Sequence, residues 1–207
     1  LFKDSKHIVD MPLRKGVTVA QLEHAWAQLS SRQADQVAGS SGVVSRQALQ
    51  ALVDAHFDAP GSDLQEVVHP QGQQVQLAPP AWLASIPDPE LRAFGQAVHQ
   101  LWPILHRKVC ASVADSPDSH TLLHIPHPFV VPGDRFRECY YWDSYWVIRG
   151  LLASGLRGTA RHVVLNLLDL VDRVGHVPNG ARVYYTNRSQ PPLLSAMVMA
   201  VAGVRPA

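Results

Sequence analysis

The chain has 207 residues, 46% of them apolar, enough for one ordinary domain with a real core. Eighteen Lys and Arg stand against 17 Asp and Glu, so the formal net charge of +1 gives no electrostatic footprint for nucleic acid or an acidic membrane surface. Two cysteines exclude a disulfide scaffold and a Cys-rich zinc module, and no run reaches the roughly 18 uninterrupted apolar residues of a membrane span.

Helical spacing dominates from the start. Thr18 with Gln21 reads as a capping box, and Leu22, Ala25, Trp26 and Leu29 extend it into a helix over 18–30. A weaker helix follows Ser45, with Leu49, Leu52 and Val53 on one face. The Gln-, Pro- and Gly-rich stretch over 59–80 reads as a loop. Asp88-Pro89 starts a helix over 89–102, carrying the stripe Leu91, Phe94, Val98, Leu101 and Leu105, which Pro103 kinks or ends near Trp102. The stretch over 114–133 reads as an extended connection. Asp143 caps a helix over 143–154, and Thr159 caps one over 160–174 that stops at Gly175. Ser189 caps a last helix over 191–202 that opens at Pro191-Pro192. No sheet of three or more strands is expected. The last apolar run, Leu193 to Val204, is apolar nearly all round, so its packing partners are expected further on, beyond Ala207.

The densest chemistry lies in Val131 to Trp146, VPGDRFRECYYWDSYW. Only 7% of the whole chain is aromatic, yet six of these sixteen residues are, interleaved with Arg135, Arg137, Glu138 and Asp143. Rings that stack on the C–H faces of a pyranose, beside charged groups that take its hydroxyls, are what a sugar site needs. An aromatic helix start with a structural ion pair accounts for the same residues equally well. A second cluster, GHVPNGARVYYTNRSQ over 175–190, puts a tight turn at Pro178-Asn179-Gly180 and gathers Arg188, Ser189 and Gln190 before the next helix. By itself it reads more simply as a turn and a cap. Asn187-Arg188-Ser189 matches a glycosylation sequon, expected to be unused if Arg188 faces a pocket. His120, His124 and His127 are spaced suggestively, but Pro126 and Pro128 oppose a helix there and no metal is expected. Cys110 and Cys139 could pair, though Cys139 among aromatics reads as a small buried apolar residue.

PGDRFRECYYWDSYW resembles the trehalase signature, whose usual form is Pro-Gly-Gly-Arg-Phe followed by Glu, Tyr, Trp-Asp and Tyr at fixed positions. VPNGARVYYTNRSQPP resembles the next motif of that family, and DSKHIVDMPLR resembles its animal N-terminal opening. Asp134 departs from the pattern, standing where the family usually has Gly. The resemblance implies an all-α fold, part of an (α/α)6 six-hairpin toroid cut after about half. Residues 1–207 would form the N-terminal part of one catalytic domain, with N-terminal helices over 1–110 and the signature motifs and first toroid helices over 111–207.

The family hydrolyses α,α-trehalose to two glucose molecules with inversion. The resemblance implies sugar contacts at Arg135, Phe136, Tyr140, Trp142, Asp143, Asn179, Arg188, Ser189 and Gln190, converging on one concavity. No metal or organic cofactor is implied. The resemblance implies trehalose as the partner, with no nucleic acid, and an extracellular or cell-surface anchored location. Inversion needs two carboxyls roughly 6.5–9.5 Å apart, and both family positions are expected beyond Ala207. The resemblance gives Asp143 a substrate-holding role and Glu138 either a structural role or one supporting the sugar contacts, and the chain alone is expected to be inactive and prone to aggregate. The alternative is a non-catalytic truncated product with at most weak sugar binding. A six-hairpin glycosidase with another substrate is disfavoured by the full signature.

Overall fold

The computed structural model describes residues 1–35, 44–67, 76–133 and 135–203. The Gly-to-Asp departure at Asp134, the end of the expected apolar run at Val204 and part of the loop expected over 59–80 lie outside those residues. The chain divides into two compact units. One holds Leu1–Asp63 with Ala111–Leu122, and the other holds Leu64–Cys110 with Leu123–Ala207.

The first unit contains α1 (Lys6–Val9), α2 (Val19–Asp35), α3 (Arg46–His56) and α7 (Ala111–Asp115). Its caps follow the sequence. The Thr18 N–H donates to Gln21 Oε1 at 2.8 Å while the Gln21 N–H donates to Thr18 Oγ1 at 3.2 Å, the reciprocal pair of a capping box. Ser45 Oγ accepts from the Ala48 N–H at 3.2 Å. Segment 111–122 joins this unit through backbone groups that need partners. The Leu13 N–H donates to Ser119 O at 2.9 Å, and Thr121 Oγ1 donates to Val9 O. Leu13, Val53, Val113 and Leu122 are buried.

The second unit carries α4 (Ala81–Ala84), α5 (Pro89–His99), α6 (Leu101–Leu105), α8 (Asp143–Ala153), α9 (Arg157–Val174) and α10 (Leu194–Ala202). It also holds β1 (Leu64–Glu66), β2 (His106–Val109) and β3 (Phe129–Val130), an antiparallel sheet in the order β1-β2-β3. The molecule is mostly helical, but this sheet corrects the all-α expectation. The register pairs Leu64 with Val109 and His106 with Val130. The strands have two to four residues. Period-two alternation needs about four to eight residues to be visible in sequence, so nothing could have flagged them.

Three helix starts also differ from expectation, each for a local reason. Asp88 caps α5 as read, its carboxylate accepting from the N–H groups of Glu90 and Leu91. The helix then ends at His99, before Pro103, and Pro103 is the third residue of the separate α6. A proline is tolerated in a first turn, where its missing N–H would have had no helical partner. α9 begins at Arg157, ahead of Thr159, because Gly155 at φ 78° closes α8 so tightly that the next helix can start at once. Gly175 at φ 84° ends α9 as expected. Ser189 does not cap α10. In that role its oxygen would need the N–H of Pro191 or Pro192, and neither has one. The helix starts at Leu194, whose N–H donates to the Tyr141 hydroxyl at 3.1 Å.

Helices α8, α9 and α10 pack on one another. Ile148 and Leu151 of α8, Val163, Leu167 and Leu170 of α9 and Met197 of α10 are buried there. Asn166 is fully buried and ties α9 to the segment before β3, its amide accepting from the His127 N–H and donating to His127 O, both at 2.9 Å. Trp82 Nε1 donates to Ala153 O and so satisfies a carbonyl at the C-terminal end of α8, while Trp102 Nε1 donates to the Ser154 hydroxyl just beyond it. The apolar stripe of α5 and α6 is largely open to solvent, with Leu91 60% and Phe94 68% exposed. No helix among the described residues is long and apolar enough to cross a membrane.

Two tests follow from this packing. Gly150 lies under Trp102, and a Cβ there would stand 2.8 Å from the indole, whereas nothing lies within 4 Å of one at Gly158. Both sit in helices, where alanine is favoured by up to about 1 kcal/mol. Gly158→Ala is expected to raise the urea midpoint. Gly150→Ala is expected to lower it, since overpacking costs about 1–3 kcal/mol. The second test concerns histidines. The rings of His127 and His162 stack at 4.9 Å. Burial, followed by the charge of His162 and of Arg107, lowers the pKa of His106 below 6.5. Burial, His127 and Arg161 likewise lower that of His162. The unfolded chain therefore takes up these protons first. Stability should be complete above the unfolded value and be lost as pH falls through 6.5 toward the folded values. Urea midpoints at pH 7.5 and 5.5 should differ in that sense, and His106→Gln should narrow the gap.

Candidate functional site

The two chemistry-bearing segments are 175–190 and 131–146, and the backbone brings them side by side. After β3 the Val131 N–H donates to Leu105 O at 3.0 Å, which launches the first segment toward α8. The second leaves α9 at Gly175. Tyr140 and Gly180 then form an antiparallel bridge. The Ala181 N–H donates to Cys139 O at 2.8 Å, and the Tyr141 N–H donates to Asn179 O at 3.1 Å. The Asn179 N–H in turn donates to Arg188 O at 2.8 Å, closing the second segment on itself. Gln190 Oε1 accepts from the Trp142 N–H at 3.0 Å, at the entry of α8 where helical partners are lacking.

The side chains extend this junction into a continuous row. The Arg135 guanidinium lies 5.6 Å from the centre of the Phe136 ring. Phe136 meets Tyr140 edge to face at 5.4 Å, and Tyr140 meets Tyr185 at 5.8 Å. The Arg188 guanidinium sits 4.9 Å above the Tyr185 ring. Arg135 and Arg188, 53 positions apart (188 − 135), are thus the two cationic ends of one aromatic row. The rings approach closely because Gly180 lies between Tyr140 and Tyr185. A Cβ there would stand 3.0 Å from Tyr185 and 3.3 Å from Tyr140.

Under the row lies a buried ion pair. Arg182 Nε donates to Glu138 Oε2 at 3.0 Å, and both side chains are fully buried. Arg182 Nη2 also donates to Arg137 O at 3.0 Å. The Tyr140 hydroxyl lies 3.3 Å from the Tyr185 hydroxyl. Burial, then the influence of Glu138, holds the Tyr140 phenol far above the usual tyrosine range, so it stays protonated. Neither Arg182 nor Tyr185 stood out in the sequence. Arg182 could have been found by asking what neutralises Glu138, a carboxylate set in an aromatic run.

The other expected site residues take these positions. Arg135, Trp142, Arg188 and Ser189 are exposed, and Phe136, Asp143, Asn179 and Gln190 are half-buried, while Tyr140 is buried. Asp143 is the first residue of α8 and not its cap. Its carboxylate makes no cap bond but sits in the first turn, where the helix dipole favours it. Ser189 Oγ donates to Val177 O at 2.7 Å, which pins the turn. Asn187 and Arg188 of the sequon are both exposed. The three spaced histidines do not gather. His120 lies 3.5 Å from Asp63 in the first unit, whereas His127 stacks on His162 in the second. Among the described residues no group of three or more His, Cys, Asp or Glu could hold a metal.

Cys139 is 1% exposed, and Ser144 Oγ lies 3.5 Å from its sulfur. Burial pushes its thiol up to about 11, while Cys110 is half-buried and not in a disulfide. At pH 8 a thiol with such a pKa is ionised only on the order of one part in a thousand. Titration with a thiol-specific chromophore at that pH should count one reactive cysteine in the native chain and two after denaturation.

A sequence model of the family described as Trehalase matches residues 1–204. The trehalase of Arabidopsis thaliana is 42% identical over 201 residues, covering 97% of this chain and 31% of that protein. A probable trehalase of Oryza sativa subsp. japonica is 46% identical over 196 residues, 95% of this chain and 32% of that one. The trehalase of Homo sapiens is 42% identical over 198 residues, 96% and 32%. The chain thus spans about a third of the length of the curated relatives it matches. Matched along almost its whole length, and carrying both motifs at one junction, this chain belongs to the trehalase family.

Proposed function

We propose that the chain forms one wall of the sugar site of an α,α-trehalase, a glycoside hydrolase that releases two glucose molecules with inversion. The observation that carries this reading is the aromatic row capped by Arg135 and Arg188. The rings offer apolar faces to the C–H bonds of a pyranose. The guanidinium groups, with Asp143, Asn179, Ser189 and Gln190, offer charged and polar partners to its hydroxyls. Trp142 is 42% exposed beside them and adds a further stacking face. Six of these side chains, those of Arg135, Trp142, Asp143, Asn179, Arg188 and Gln190, would converge on one concavity of an (α/α)6 toroid.

The same reading makes Glu138 a poor candidate for acid or base. It is fully buried and committed to Arg182. Inversion needs a second carboxyl across a water-sized gap, and the proposal assigns both catalytic carboxyls to residues outside this chain. The 207 residues alone would then bind sugar weakly at most and release no glucose. The open apolar stripe of α5 and α6 supports the separate expectation that the chain alone is prone to aggregate, because such a patch favours association with other surfaces. The protein's proposed location is extracellular or at the cell surface, with trehalose as its partner.

The experiment is glucose release from trehalose, maltose and other glucosides by a full-length enzyme carrying these residues, with the anomer followed by NMR. Trehalose should be the preferred substrate, and α- and β-glucose should appear together in equal amounts before mutarotation. Asp143→Ala should lower kcat/KM about 10–100-fold, as expected when a buried hydroxyl loses its acceptor. Faster turnover of another glucoside would reject trehalose as the substrate, and an unchanged kcat/KM would remove Asp143 from the site.

A further inference from the structure

We propose that Tyr185 is a positioning residue of the sugar-binding face, whose ring holds the Arg188 guanidinium in place by a cation–π contact and leaves its N–H donors for sugar hydroxyls. The inference rests on the trehalase reading just given.

Arg188 follows Tyr185 by three positions, and a turn brings the two together. The Arg188 N–H donates to Tyr185 O at 3.2 Å, and the Tyr185 N–H donates to Arg182 O at 2.9 Å. The guanidinium comes to lie 4.9 Å from the centre of the Tyr185 ring. Other arginines of this unit spend their donors on fixed acceptors. Arg182 donates to Glu138 and to Arg137 O, and Arg173 donates to Asp169 and to His124 O. The Arg188 guanidinium differs, because among the described residues it has no hydrogen bond and no ion pair. A guanidinium carries five N–H donors. Held by attraction to a ring, it is placed without spending any of them. A group that must meet several sugar hydroxyls gains from this, since donors committed to the protein would first have to be released.

The ring is itself fixed on several sides, as a positioning role requires. Its hydroxyl lies 3.3 Å from that of Tyr140, whose ring centre is 5.8 Å away. Tyr184 meets it edge to face at 4.6 Å. Gly180 closes another side, where a Cβ would stand 3.0 Å from the ring. The backbone of Arg188 is tied as well, its carbonyl accepting from the Asn179 N–H at 2.8 Å. A ligand therefore does not have to arrest a long side chain when it binds, which lowers the ordering cost.

The test is made in a full-length enzyme carrying these residues. Tyr185→Phe keeps the ring, and the same replacement with one, two or three ring fluorines withdraws negative charge from the ring face at nearly constant shape, so every member should fold. The kcat/KM for trehalose should fall stepwise along the fluorine series, by about two- to fivefold in all, the strength of an exposed cation–π contact. In an Arg188→Ala background the same series should be flat, because the two residues act as one unit. A flat series with Arg188 in place would mean that the ring serves packing alone. An equal fall in both backgrounds would mean that the sugar stacks on Tyr185 directly. Either result overturns the proposal. A wild-type enzyme that does not turn over trehalose would sink the trehalase reading instead. Phenylglyoxal labelling, mapped by mass, would then decide the contact by itself. The rate at Arg188 should rise about two- to fivefold along the fluorine series as the ring loosens its hold, and a constant rate overturns the proposal.

Discussion

A guanidinium with no exposed surface must be answered where it stands, and this structure is arranged around that requirement at Arg182. Its partner, Glu138, lies 44 positions earlier and is equally buried (182 − 138). Taking either charge out of water costs several kcal/mol unless the other is in place. The pair therefore pins the register in which residues 138–141 meet residues 179–182. A slip of one residue would turn one charge away from the other. With the register held, the Cys139–Ala181 and Tyr141–Asn179 backbone bonds follow.

From that junction the consequences run in two directions. Inward, Tyr141 is buried and its hydroxyl takes the first N–H of α10, a helix whose own approach, through Pro191 and Pro192, supplies no cap. The packing of α10 on α8 and α9 is thereby linked to the same segment that begins α8. Outward, the alternation of the chain presents Phe136, Tyr140 and Tyr185 as one row, with a cation at each end.

Much of the fold was legible. The capping box at Thr18, the helix start after Ser45, the cap at Asp88 and the stop at Gly175 were readable because each depends on residues no more than about four positions apart, and their hydrogen bonds form as the spacing demands. The misreadings were of two kinds. Thr159 and Ser189 were plausible caps overruled by neighbours, the tight Gly155 exit in one case and two prolines without N–H groups in the other. The three strands were invisible because two to four residues carry no period. Their pairing is decided by partners about 20 to 45 positions away.

For the site, the family and the residue types were written in the sequence, since the motif from Pro132 to Trp146 carries its own spacing and needs no partner to be recognised. Arg135, Trp142 and Asp143 could be put forward as candidates for that reason. What only the tertiary structure decided is which of the two arginines in the second motif faces inward. Arg182 is buried against Glu138 and Arg188 lies open above Tyr185, although they are six positions apart in one loop. Nothing local distinguishes them, because burial of a charge is set by where its counter-charge ends up, and that is fixed only when two distant segments meet.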